Sequence, residues 1–434
     1  MRLEMAEFPV TSLRIGSKFE YNRGALEVDK DNLLELILRD SHIQTADLAS
    51  VCPGERVRIT GIRDIVEPRV KVRGKGQVFS GILGPVVPVG EGRTHRLSGM
   101  AVAVTAEYHG TVRAGLGVER SAILDMWGPG ADASRFSSLI HLVLVLKLSE
   151  GLSDLEAHQA IQTAELQVAQ RLAETTADLM PETIETYDLE PGDPQLPRVA
   201  LIQGCLTDSH RPHPGITYYG LPLRESLATV IHPNEILDGA IAVITTRTIA
   251  YYTITWDWQN HPLLLGLYRN HSRTLNLAGV VLERIQFETH HGKEVAAHTA
   301  AQLASRLGAT GAIVSWLGSG NAFVDVMLTI RACEERGIKT TLVTYEYGGK
   351  DGIDSPLLFY ASEADAVVTT GSRDRWIDLP EPEHVVGPYE QIQILSYPGA
   401  PVVPAKSVLS FDARDMIVGG VDNWGQLSWT CRAY

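Results

Sequence analysis

Hydrophobic positions follow two different rhythms along the chain. From residue 1 to about 130 the apolar runs are short and broken by glycine. Val57–Ile59, Val70–Val72, Val78–Phe79 and Ala101–Val104 predict strands, with turns at Pro53-Gly54 and Gly90–Gly92. One helix is predicted among them, Asp31–Arg39, which places Leu33, Leu34, Ile37 and Leu38 on one face. Asp125-Met126-Trp127-Gly128-Pro129-Gly130 reads as a tight turn closing a β-rich N-terminal domain over 1–130. A middle segment, 131–197, follows. Its apolar run Leu139–Leu148 carries His141 and Lys147 and is about half the ~20 residues of a membrane span, so it predicts a buried strand. Ser153 is placed to cap a long helix reaching about Leu179, with Asp154 and Glu156 in its first turn. The proline-rich, acidic stretch Tyr187–Pro197 reads as the main linker.

From 198 to 434 the apolar runs become continuous: Val199–Ile202, Ile241–Thr245, Leu277–Leu282, Ala312–Trp316, Thr341–Thr344 and Ala366–Thr369. They alternate with helical patterns, clearest at Glu294–Leu307 and at Val324–Arg336, the latter stopped by Gly337. Such alternation predicts a parallel sheet covered on both faces, hence an α/β fold with a Rossmann-like second domain. Ligands of parallel sheets gather at the carboxyl ends of the strands. The loops Gln203–His213, Thr245–Tyr252, Ser315–Asn321 and Thr344–Asp351 are therefore expected to converge on the site.

Composition narrows the function. With 38 basic and 52 acidic residues the formal charge is −14, which repels a phosphate backbone, and no basic block compensates. Nucleic-acid binding and membrane insertion are not expected. Cys52, Cys205, Cys333 and Cys431 are scattered with no CxxC pair, as in a reducing cytoplasm, and no secretory pattern opens the chain.

Four groups of residues can carry chemistry. Gly318-Ser319-Gly320-Asn321, between a strand and a helix, can bind an anion on its amides. Glu346-Tyr347-Gly348-Gly349-Lys350-Asp351-Gly352 puts acid–base groups in a glycine-rich loop after a strand. Asp208, His210 and His213 offer three N/O ligands with an open fourth position, suited to zinc or a similar divalent ion. A histidine from the His290, His291, Glu294, His298 cluster can join them. Trp256, Trp258, Tyr251 and Tyr252 form either a substrate wall or a core ladder.

The order of several motifs resembles the glycine/sarcosine/betaine reductase component B precursor family. They are Asp64-Ile65-Val66-Glu67-Pro68-Arg69-Val70-Lys71-Val72, Phe79-Ser80-Gly81-Ile82, Asp125–Ala131, His232–Ala240, Gly320-Asn321, Glu346–Gly352 and the final Tyr434. The resemblance implies a chain that cleaves itself at an Asn-Cys bond shortly after Asp238-Gly239-Ala240-Ile241. The cysteine becomes a pyruvoyl group that captures an amine, and a partner subunit, often a selenoprotein, reductively breaks the C–N bond. Counted from that stretch, the equivalent bond here falls at about Thr245-Thr246, and no cysteine lies between Cys205 and Cys333. No pyruvoyl group is expected.

Three readings are open. The chain is an enzyme subunit acting on a small amine without pyruvoyl, with a metal or a catalytic dyad replacing the electrophile. Alternatively it is a non-catalytic subunit positioning substrate in a two-component complex, or it processes itself with Thr246. Thr246, Glu346, Tyr347 and Asp351 are the expected reacting residues. Gly318, Gly320, Asn321 and Tyr252 are expected to hold substrate, and Asp208, His210 and His213 a metal. A component B-like second subunit is the expected partner, in a homo- or hetero-oligomer.

Overall fold

A computed structural model describes residues 1–107, 122–190, 192–206, 215–244, 253–318, 320–349, 353–393, 402–411, 416–426 and 430–432. The N-terminal half holds two four-stranded sheets. One runs Thr183–Asp188, Arg2–Pro9, Gly92–Ser98, Arg69–Arg73; the other Ile43–Val51, Ile140–Leu148, Met100–Glu107, Ile62–Val66. Ile140–Leu148 is an interior strand, parallel to Met100–Glu107 and antiparallel to Ile43–Val51, which explains its unbroken hydrophobicity.

The helix Asp154–Ala173 covers these strands. Ser153 and Glu156 form a capping box at its start, as the sequence suggests. Ala160, Ile161, Ala164, Val168 and Leu172 pack into the core with Val102, Val104, Leu142 and Leu144. The helix stops earlier than expected, passing into a 3₁₀ turn at Glu174–Thr176. There Thr175 and Thr176 turn their hydroxyls onto the Leu172 and Ala173 carbonyls, at 2.7 and 2.8 Å. Val78–Phe79 is a turn and not a strand: Phe79 is buried with φ +61°, and a side chain at the following Gly81 would meet the Tyr219 carbonyl. Residues far apart in sequence also share sheets, since His384–Val386 pairs in parallel with Val57–Thr60.

The second half is built on a seven-stranded sheet. Its order is Ala228–Ile231, Asn276–Ile285, Arg198–Leu206, Gly311–Trp316, Lys339–Glu346, Val367–Ser372, Thr430–Arg432. The middle five strands are parallel; the two edge strands are antiparallel. His290–Arg306 and Ala322–Glu334 pack on one face, sharing a core with Ala200, Ile202, Val314 and Trp316. Pro262–Asn270 packs on the other, with Leu201, Cys205 and Val343.

One predicted member of this sheet lies elsewhere. Ile241–Ile244 belongs to a small antiparallel sheet with Gly215–Tyr218 and Leu221–Pro222. Ile241 and Val243 face the core under the parallel sheet, while Ala242 faces the N-terminal core. A strand buried on both sides has no polar face, so its pattern matches that of a parallel strand.

Ahead of this strand, buried charges join the two halves. Asp238, with no exposed surface, accepts from Lys71, from the Gly90 amide at 2.7 Å and from the Thr94 hydroxyl at 2.6 Å. Arg69 is buried beside it, bonded to Glu67, to the Leu237 carbonyl and to the Gln259 carbonyl at 3.1 Å. Asp238→Ala removes the only charge opposite the buried Lys71 ammonium among the described residues. We expect it to cost about 3–5 kcal/mol of unfolding free energy, as breaking a buried pair does, read from urea denaturation.

Candidate functional site

Connections from two neighbouring strands of the parallel sheet diverge. The chain leaves Arg198–Leu206 toward the face that carries Pro262–Asn270, and leaves Gly311–Trp316 into Ala322–Glu334 on the opposite face. A crevice outside adjacent strands with such diverging connections is where sheets of this type take ligands. The Leu317 amide donates to the Gly204 carbonyl at 2.9 Å, locking the two strand ends together. Gly318 and Gly320 follow at once, and Asn321 precedes the helix Ala322–Glu334.

Two tyrosines set the shape of that turn. Tyr345 Oη donates to the Gly318 carbonyl at 2.6 Å, Tyr347 Oη accepts from the Gly320 amide at 3.2 Å, and the two hydroxyls lie 3.1 Å apart. Trp316 stacks on Tyr345 with ring centroids 5.6 Å apart, and the Arg373 guanidinium lies 5.1 Å from the Tyr347 ring. Glu346 is buried at the same strand end, its carbonyl bonded to the Arg373 amide. Four predicted residues, Tyr347, Gly318, Gly320 and Asn321, thus meet at one place, with Glu346 on the adjoining strand end. Tyr345 is a member that the sequence reading misses, although the period-two spacing of Tyr345 and Tyr347 on a strand already puts both on one face.

A second element approaches from below. The Val243 amide donates to Thr255 Oγ1 at 3.0 Å, and Gln162 Nε2 donates to the Val243 carbonyl at 3.3 Å. These side chains stand in for a neighbouring strand on the side of Ile241–Ile244 away from Gly215–Tyr218. Gly215 pairs with Ile244. Thr246, Tyr252, Asp351, Asp208, His210 and His213 lie outside the described residues.

Of the remaining candidates, the second histidine cluster is an exposed helix surface. His290 Nε2 sits 3.5 Å from Glu294, both well exposed, and His298 faces Arg336. Among the described residues no group of three His, Cys, Asp or Glu side chains is placed to hold a metal. Trp256 and Trp258 are core residues: Trp256 meets Phe136 edge to face, and fully buried Trp258 packs against Trp424 and His261. Cys205 and Cys333 are fully buried, and burial pushes both thiols up, Cys333 to about 12, so neither forms a ready thiolate.

Residues 1–426 match the family model for glycine/sarcosine/betaine reductase component B subunits. The chain belongs to that family. It is 32% identical over 400 residues to the glycine reductase complex component B subunits alpha and beta of Acetoanaerobium sticklandii, covering 89% of each chain. It is 33% identical over 402 residues to the betaine reductase complex component B subunit alpha of Peptoclostridium acidaminophilum, covering 90% of this chain and 89% of the relative. The sarcosine reductase complex component B subunit alpha of that organism is 29% identical over 408 residues, 91% of each. No solved structure matches the chain. No helix among the described residues is long and apolar enough to cross a membrane.

The motifs that carried the family resemblance meet in the structure. Lys71 reaches Asp238, Arg69 reaches the Leu237 carbonyl, and Gly239 lies against the Phe79 amide. The tyrosine pair over the Gly318–Gly320 turn gives a direct test. Tyr345→Phe leaves the buried Gly318 carbonyl without its donor, so unfolding free energy should fall by about 1–3 kcal/mol. Tyr347→Phe, whose amide partner is less enclosed, should cost less in the same denaturation assay.

Proposed function

We propose that this chain is a substrate-binding subunit of a reductase that cleaves the C–N bond of a small amine, and that it does so without a pyruvoyl group. The observation that carries the reading is the Gly318–Gly320 turn, fixed by Tyr345 and Tyr347 at the switch point of a family member's parallel sheet. The sheet is read as doubly wound, because its parallel strands take the order second, first, third, fourth, fifth, with helices on both faces. Amides at the head of Ala322–Glu334 suit a carboxylate, the group that glycine, sarcosine and betaine share. Those three substrates are named for relatives, and the relatives are parts of complexes.

The pyruvoyl group does not fit the residues present. Its precursor is a cysteine, and this chain has Thr245-Thr246 at the equivalent bond. Thiolate is far more available near neutral pH than an alkoxide and leaves more readily in the later elimination. The described cysteines offer no exposed dithiol, so the two electrons of a reductive cleavage are assigned to a partner, a component B-like second subunit in the cytoplasm.

Two measurements test this. Intact-mass spectrometry of the purified chain should return one species near 47.4 kDa, whereas two fragments meeting near Thr245 would establish self-processing. Purified with its partner and a reductant, the complex should release amine or ammonia from glycine, sarcosine or betaine, and the chain alone should release none. Full activity of the isolated chain would remove the partner, and unchanged turnover on deleting this chain would leave it a scaffold.

A further inference from the structure

A cavity of about 470 Å³ opens where the two halves of the chain meet. That volume lies within the roughly 300–1,000 Å³ of small-molecule sites, which favour such junctions. One wall is the outer strand of the first N-terminal sheet, Thr183–Asp188, with Glu190 just beyond it. The other wall is the last turn of the helix Pro262–Asn270 and the residues that follow, up to Arg273. Asn276 begins a parallel strand three residues later. The cavity therefore lies at the amino edge of the parallel sheet, opposite the edge that carries the Gly318–Gly320 turn.

The two walls are opposite in charge. Glu185, Asp188 and Glu190 line one, and Arg269 and Arg273 line the other. No ion pair joins them, and neither arginine has an acidic partner among the described residues. Other arginines do pair: Arg135 with Asp257, Arg331 with Glu363 and Arg373 with Asp374. Here the charges face a gap too wide for direct contact. Ser272 lines the same wall with φ +61°, a conformation uncommon outside glycine and recurrent at ligand clamps.

The gap is fixed at two points. Asn234, fully buried, donates to the Tyr187 carbonyl at 3.2 Å on one wall and accepts from the Tyr268 hydroxyl on the other. The rings of these two tyrosines meet edge to face, with centroids 5.1 Å apart, and line the space between the charges. His271 Nδ1 takes the Leu277 amide at 3.0 Å, so Nε2 carries the proton and donates across to the Glu190 carbonyl at 2.9 Å. Walls held in this way need little ordering when a ligand enters.

We propose that this cavity is a second ligand site, and that it takes a small zwitterion with a carboxylate at one end and an ammonium at the other. Arg269 and Arg273 suit the carboxylate, which guanidinium groups hold through paired N–H donors. Glu185, Asp188 and Glu190 suit the ammonium, and the tyrosine faces add cation–π attraction. A simple anion would meet three carboxylates, and a simple cation two guanidiniums. Only a ligand bearing both charges satisfies both walls. The site is separate from the Gly318–Gly320 turn and independent of the reductase reading.

Isothermal titration calorimetry of the full chain decides it, with γ-aminobutyrate and ε-aminocaproate against the single-charge analogues butyrate, caproate and hexylamine. One of the two amino acids should bind about tenfold more tightly than any single-charge analogue, and less tightly as salt is raised. Arg269→Gln combined with Arg273→Gln changes only exposed side chains and should weaken that binding at least about tenfold. Glu185→Gln combined with Asp188→Asn should do the same from the opposite wall, whereas Tyr347→Phe should leave affinity unchanged. Equal binding of a single-charge analogue would make this a simple ion site and overturn the proposal. Unchanged affinity in either double variant, loss of binding in Tyr347→Phe, or no saturable binding of either amino acid at millimolar concentration would overturn it as well.

Discussion

The placement of the strand Ile241–Ile244 depends on one buried carboxylate, Asp238. Its donors come from two N-terminal segments, at Lys71 and at Gly90–Thr94, and the strand begins three residues after it. A lysine and an aspartate lose most of their hydration at such a depth, and their attraction roughly offsets that loss. The pair itself adds little net stability. Its effect is instead to penalise any arrangement that separates the partners, because an unpaired charge in this layer costs several kcal/mol. The short helix Pro233–Leu237 is thereby fixed against the N-terminal sheets before the strand starts.

The other end of the strand is fixed by neutral groups. Thr255 and Gln162 take up both polar groups of Val243, and Thr255 is in turn held by Asp64. The helix carrying Thr255 is anchored by Arg135 on Asp257 and by Gln259, which exchanges two hydrogen bonds with the Glu67 backbone at 2.9 and 3.1 Å. One charged run thus reaches both flanks of the strand: Asp64 holds Thr255, the Glu67 backbone holds Gln259, Arg69 holds the Leu237 carbonyl and Lys71 holds Asp238.

Much of this architecture is legible in the sequence, and the limits have physical causes. The Ser153 cap, the strand Ile140–Leu148, the helices His290–Arg306 and Ala322–Glu334 and the parallel strands arise from local pattern, which reports burial and period directly. Pattern alone puts Ile241–Ile244 in the wrong sheet, because burial on two faces erases the information about which neighbour covers each face. Gly318, Gly320 and Tyr347 stand out as candidates because ligands of parallel sheets gather at strand ends. The full burial of Glu165 does not stand out. It sits mid-helix between Ala164 and Leu166, and helical spacing alone does not reveal that its face is sealed.

Glu165 and the buried thiols show two opposite consequences of burial. A carboxyl buried without a donor lowers stability, and an apolar residue of similar volume would pack there at no such cost. Two of the described thiols show the opposite economy: Cys205 and Cys333 are small apolar fillers whose burial suppresses the thiolate. Burial thus silences two thiols in one half of the chain and strands an acid in the other. The turn at Gly318–Gly320 differs from both: its polar groups are satisfied by Tyr345 and Tyr347, and it lies at the edge where the strands end.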